Sequence, residues 1–162
     1  MVASNIFELI GVSGAGKTTW AKEQKHVVDL SSDAIRDELC KQAGIYPLYD
    51  QPPAMVKRTN AQVFAVLHAR LEAALRANQE KIIIDATNLN QARRTALYKR
   101  VKLLAPTCRV FAIVFPTPPL PELVRRVTHR GIHDVPAAGL AAQLAAFEAP
   151  EQFVDCDYVI HF

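Results

Sequence analysis

Long apolar runs are missing from this sequence of 162 residues. None approaches the roughly 20 residues that a membrane-crossing helix needs, so no membrane association is expected. The opening, Met1-Val2-Ala3-Ser4-Asn5, has no basic stretch ahead of an apolar core, which argues against a secretory leader. Cysteine is scarce. The three present, Cys40, Cys108 and Cys156, are odd in number, far apart and without metal-site spacing. They are expected as reduced, buried thiols of a cytoplasmic protein. Neither sign of charge dominates: the net charge is +3, with a pI near 8.8. That permits a polyanionic partner without demanding one. Internal repeats and low-complexity tracts are absent, and nothing speaks to oligomeric state.

What is present is an ordinary globular composition, 50% hydrophobic and 22% charged. The length suits a single domain over residues 1–162, burying roughly 70% of the surface of its unfolded chain. Apolar runs over 6–10, 26–30, 81–86, 109–115 and 158–162 predict five strands. Ile82, Ile83 and Ile84 are continuous rather than alternating, as in a strand covered on both faces. Helices are expected from about Gly16, from Ser31-Ser32-Asp33 to 43, over 53–78, 90–104, from 121 to about Arg130, and over 136–147. Phe64, Leu67, Leu71 and Leu75 share one face of the long third helix. His68, among them, reads as a packing residue, as does Trp20. Residues 44–53 read as a loop. Alternating strands and helices predict a three-layer α/β fold with a central parallel sheet of about five strands and helices on both faces. Ligands then bind at the carboxyl ends of the strands.

The strongest local signal is Gly11-Val12-Ser13-Gly14-Ala15-Gly16-Lys17-Thr18, which fits G-x-x-x-x-G-K-[ST] between a strand and a helix. Glycines let backbone N–H groups approach phosphates, and the helix start adds partial positive charge. Ser13, Gly14, Ala15, Gly16, Lys17, Thr18 and Thr19 are the expected phosphate contacts. Lys17 should reach the β- and γ-phosphates of ATP, and Thr18 should place its hydroxyl on Mg²⁺.

A phosphate loop alone does not separate a motor, a switch and a kinase. The chain is short for a motor, and no guanine-reading Asn-Lys-x-Asp occurs. A small kinase further needs a base, cations on the moving phosphoryl group and a lid. Asp33, just after the second strand, is the candidate base, or else a helix N-cap. Arg36, three residues on, can hold an anionic acceptor or lie idle on the surface. Asp85 ends the third strand in Ile84-Asp85-Ala86-Thr87-Asn88 and can organise Mg²⁺, Thr18 or the acceptor, or cap a loop. Arg126 and Arg130, four apart, run into a glycine-containing segment that suits a lid over about 126–138. His133 lies within it without an assigned role. Tyr46 and Tyr49 either stack on an acceptor base or pack in their loop. A second basic cluster, Arg93, Arg94, Lys99, Arg100 and Lys102, is either a solvated helix face or a patch for a polyanion.

Together, residues 11–22, Ser31-Ser32-Asp33-x-x-Arg36, Asp85-Ala86-Thr87-Asn88 and the Arg126/Arg130 segment resemble the 5′-hydroxyl polynucleotide kinase domain of phage and bacterial end-healing enzymes. The resemblance covers most of the chain and is weakest over 44–53 and after Pro136. It implies a P-loop kinase fold with a helical lid, ATP and Mg²⁺ as cofactors, and a 5′-OH DNA or RNA end as acceptor. Lys17 and Thr18 would bind ATP phosphates and Mg²⁺. Asp33 would be the general base, Arg36 would hold the acceptor's 3′ phosphate, and Asp85 would support the site. Arg126 and Arg130 would close on the donor phosphates, and residues 147–150 would lie near the base pocket. Two rivals remain: a small-molecule kinase acting on gluconate, an antibiotic or a nucleotide sugar, and a regulator that binds ATP without turnover.

Overall fold

The computed structural model describes residues 3–128 and 135–162. Five strands form one sheet: β1 (Asn5–Ile10), β2 (Val28–Ser31), β3 (Lys81–Asp85), β4 (Arg109–Val114) and β5 (Tyr158–His161), in the order β2-β3-β1-β4-β5. Every pairing is parallel, with Phe7 opposite Ile83 on one side of β1 and Phe111 on the other. Among the described residues, six α-helices connect and cover the strands: α1 (Lys17–Glu23), α2 (Ser32–Ala43), α3 (Pro53–Arg76), α4 (Gln91–Leu104), α5 (Leu120–Val127) and α6 (Ala137–Ala146). The three-layer α/β expectation is met.

The sheet is buried on both sides, which is why β3 is an unbroken isoleucine run. Ile82 and Ile84 face a core with Leu67 and Leu71 of α3, whereas Ile83 faces a second core with Leu9, Leu123 and Leu140. Burying each such side chain contributes roughly 1.5–3 kcal/mol. The chain leaves β1 toward β2 on one side and later fills β4 and β5 on the other. The strand order therefore switches direction at β1, and a crevice opens beyond its carboxyl end.

Several boundaries differ from expectation for local reasons. β2 begins at Val28 because His26 adopts φ 56°, a left-handed turn conformation. The loop 44–53 contains one short 3₁₀ turn, Leu48–Asp50. The α3 face is built from Val63, Leu67, Leu71 and Leu75, with Phe64 only half-buried. His68 lies on the exposed side of α3 and is not a packing residue. Trp20 does pack, edge-on to Phe115 and Phe162. All three cysteines are free and buried.

The basic cluster on α4 is not one surface. Arg94 is 1% exposed and pairs with the fully buried Asp155. Its guanidinium also donates to the carbonyls of Asn88, Glu148 and Ala149. Arg100 pairs with Glu72, and Lys102 with Asp157. Arg93, Lys99 and Arg100 are exposed, but Arg94 is buried and Arg100 and Lys102 are each tied to a carboxylate, so the cluster does not act as one polyanion-facing patch. Among the described residues, no helix is long and apolar enough to cross a membrane.

Candidate phosphate-binding site

The loop after β1 is shaped by its glycines. Gly14 has φ +85° and Gly16 φ +101°, both in the left-handed region that other residues avoid. Gly16 is the N-cap of α1, so the helix starts at Lys17 with its first amides open toward the loop. Gly11 N–H donates to Thr87 O at 3.0 Å, which ties the loop's entry to the turn after β3. Asn88, at φ 48°, stitches that same turn to β1 by donating from Nδ2 to Leu9 O at 2.8 Å.

Lys17 is buried, with Nζ donating to Val12 O at 2.8 Å. Thr18 Oγ1 donates to Asp85 Oδ2 at 2.8 Å. Asp85 therefore does not cap a loop; it holds the hydroxyl expected at the metal. Burial pushes the Asp85 carboxyl above its ordinary range, and the Thr18 hydrogen bond and the Lys17 charge pull it back. Thr19 is exposed on α1.

Asp33 and Arg36 form an ion pair on the first turn of α2. The N-cap is Ser31, whose hydroxyl accepts from Ala34 N–H at 3.3 Å, so Asp33 has no capping duty. Arg36 is largely buried, and its Nε donates to Asn60 Oδ1 of α3 at 3.0 Å. Ser31, at the end of β2, lies opposite Asp85 at the end of β3, which brings the start of α2 beside the Thr18–Asp85 contact.

Arg126 reaches the loop from α5. Its Nη1 donates to Gly14 O at 3.1 Å and its Nε to Glu122 Oε1 at 2.8 Å. From α6, Gln143 meets Ser13 through both ends of its amide. Arg130 and His133 lie outside the described residues, as does the middle of the expected lid. Tyr49 lines a cavity of about 270 Å³ with Val135, Pro136, Gly139 and Gln143. Tyr46 is exposed in its loop, with its hydroxyl against Asp37.

The structure thus joins Thr18 to Asp85, Asp33 to Arg36 and Arg126 to the loop at Gly14, with the ends of β2 and β3 side by side. Two partners of these residues had no sequence signal: Asn60 and Gln143 stand in no motif, on helices defined by apolar residues. Away from the loop, Glu8 sits mid-strand among apolar residues yet is fully buried. Burial pushes its carboxyl up to about 8, against the pull of Arg94 and with the push of Asp155.

The parallel five-stranded sheet and its phosphate loop define a P-loop kinase fold. A family model described as an AAA domain matches residues 6–150, and the chain belongs to that family. No curated protein matches it. Among solved structures, a protein of Chloroflexus aurantiacus provisionally described as a kinase is similar over 100% of this chain and 86% of its own, with TM-score 0.79 and 17% identity. Chaetomium thermophilum Kti12, in complex with ADP-AlF3, is similar over 97% of this chain and 88% of its own, with TM-score 0.60 and 16% identity. A fungal RNA kinase is similar over 99% of this chain but only 38% of its own, with TM-score 0.57 and 15% identity. At these identities the likeness is one of fold.

Proposed function

We propose that the chain is an ATP-dependent kinase that transfers the γ-phosphate to the 5′-OH end of a DNA or RNA strand. The observation that carries this reading is the Asp33–Arg36 pair, released from capping by Ser31 and standing beside the Thr18–Asp85 contact. A phosphate loop serves any nucleotide-binding protein. A carboxylate and a guanidinium on the acceptor side of that loop suit transfer to a hydroxyl whose neighbour is anionic. The fold of the fungal RNA kinase supports the same direction, although this chain spans 38% of that protein.

The donor set fits ATP with Mg²⁺. Loop amides and Lys17 suit a polyphosphate. The Thr18 hydroxyl and Asp85 carboxylate are the hard oxygens that Mg²⁺ takes, directly or through water. Among the described residues no group of three His, Cys, Asp or Glu could hold a metal alone, so the ion would share phosphate oxygens. When bound, ATP supplies the phosphoryl group and Mg²⁺ offsets its developing charge.

Each residue then has one task. Asp33 accepts the proton of the attacking hydroxyl. Arg36, anchored through Nε on Asn60, holds the phosphate on the 3′ side of the acceptor nucleoside. Asp85 orients the Thr18 hydroxyl. Lys17 exchanges the Val12 carbonyl for the β- and γ-phosphates. Arg126 stabilises charge on the donor phosphates, and Arg130 shares that task.

The test is transfer of labelled γ-phosphate from ATP, with Mg²⁺, to short DNA and RNA oligonucleotides bearing a 5′-OH. Label is expected on these and absent from 5′-phosphorylated controls. Arg36→Ala should raise the oligonucleotide KM about tenfold or more. No label under conditions where ATP binds would overturn the polynucleotide reading and point to a small-molecule acceptor.

A further inference from the structure

The tip of the phosphate loop is gripped from outside. Ser13 N–H donates to Gln143 Oε1 at 2.8 Å, and Gln143 Nε2 donates to Ser13 Oγ at 3.1 Å. One side-chain amide thus meets both the backbone N–H and the hydroxyl of Ser13. Gln143 lies 130 residues away, on a helix otherwise made of alanine, leucine and glycine. The next residue, Gly14, is held from α5: its carbonyl accepts from Arg126, and its Cα lies against Val127 and Leu123. A Cβ at Gly14 would come within 3.3 Å of Val127 Cγ1, so the backbone is closely seated there.

The tip also adjoins the terminal-phosphate end of the site. In such loops the backbone amides cradle the inner phosphates while the lysine reaches the β- and γ-phosphates. Lys17 Nζ lies 2.8 Å from the carbonyl of Val12, the residue before Ser13. Displacement of Ser13 would therefore disturb the γ end first and leave the amides at the start of α1 in place.

We propose that Gln143 is a positioning residue that acts through Ser13 to fix the loop tip for the terminal phosphate, and so sets the preference for a nucleoside triphosphate over a diphosphate. The inference rests on the reading of this loop as an ATP site. Gln143 is not a contact made to dock α6, because α6 already has Leu140 fully buried in the core beside Leu123. Loss of the clasp leaves α6 its core packing through Leu140, but leaves the loop tip with two unmade hydrogen bonds.

The experiment measures affinities of ADP and of the β,γ-imido analogue of ATP, both with Mg²⁺, by calorimetry. It compares the unaltered chain with Gln143→Leu, Gln143→Glu and Ser13→Ala, and follows the melting of each apoprotein. Gln143→Leu should weaken the triphosphate analogue about tenfold while ADP stays within about twofold, as expected for loss of hydrogen bonds at one end of the ligand. Gln143→Glu keeps an acceptor for Ser13 but sets a negative charge beside the γ end, so it should penalise the triphosphate further and spare ADP. Ser13→Ala should reproduce part of the Gln143→Leu loss. Equal weakening of both nucleotides, or weakening of neither, overturns the role of Gln143 while leaving the ATP site intact. An unaltered chain that binds neither nucleotide overturns both.

Discussion

Arg94→Leu should be among the most damaging single changes in this chain, although Arg94 lies in a run of basic residues on a helix. The guanidinium makes four hydrogen bonds: to Asp155 Oδ2 at 2.9 Å and to the carbonyls of Asn88, Glu148 and Ala149 at 2.7, 2.9 and 3.1 Å. Leucine fills part of the volume and supplies none of them. Asp155 then keeps Glu151 N–H at 2.8 Å but no cation, for a charge with no solvent exposure. Breaking a buried pair from one side costs about 3–5 kcal/mol. A whole domain is commonly stable by only ~5–15 kcal/mol. At ~2–4 °C per kcal/mol for this size, the melting temperature should fall by roughly 10 °C. The assay is urea unfolding followed by circular dichroism at pH 7, on the four members of a cycle with Asp155→Leu. Removing both charges should recover the part of the loss that comes from the stranded Asp155 charge, while the carbonyls of Asn88, Glu148 and Ala149 stay without their donor. Two results would refute the reasoning: a single-variant loss under ~1 kcal/mol, or simple additivity of the two single changes.

The remaining predictions concern the sheet and the crevice. Glu8, raised to about 8 in the fold against an ordinary 4.5, binds its proton more tightly folded than unfolded. Its contribution is therefore full below pH 4.5 and is lost as pH rises toward 8, with a slope of up to about 1.4 kcal/mol per pH unit. Glu8→Gln should flatten that limb of the stability profile, and a slope unchanged in denaturant titrations would refute the assignment. Asp33→Asn should lower phosphate transfer by about a hundredfold or more while ATP binding stays within a few-fold; transfer near the unaltered rate would exclude Asp33 as base. Gly14→Ala meets both φ +85° and the side chains of Val127 and Leu123, and should cost about 1–3 kcal/mol on melting together with weaker nucleotide binding.

Much of this was legible in the sequence because it is locally encoded. The β3 isoleucine run announces a strand covered on both faces, and the phosphate loop announces the strand before it and the helix after it. Asp85 was found because it ends a strand and Asp33 because it closely follows one, where a parallel sheet places its ligands. Two serines and an aspartate mark a helix start without saying which one caps it; the structure assigns the cap to Ser31 and pairs Asp33 with Arg36. What stayed hidden depends on partners remote in sequence. Arg94 meets Asp155 across 61 residues, and nothing near it separates it from its exposed neighbour Arg93. Gln143 is a lone polar residue on an apolar helix, with its meaning supplied by Ser13. His68 sits among apolar residues in sequence, yet the helix turns it outward.

The three thiols give this protein an internal set of reporters. Cys40 lies in α2, Cys108 just before β4 and Cys156 just before β5, all free and buried. Burial raises the Cys40 thiol, pushes Cys108 up to about 11 and pushes Cys156 up to about 12, so little thiolate forms at neutral pH. A thiol reagent must then wait for the chain to open around each sulfur. Labelling rates at the three positions would time, without any engineered probe, how often α2 and the two strands toward the β5 edge of the sheet come apart, and whether they do so together.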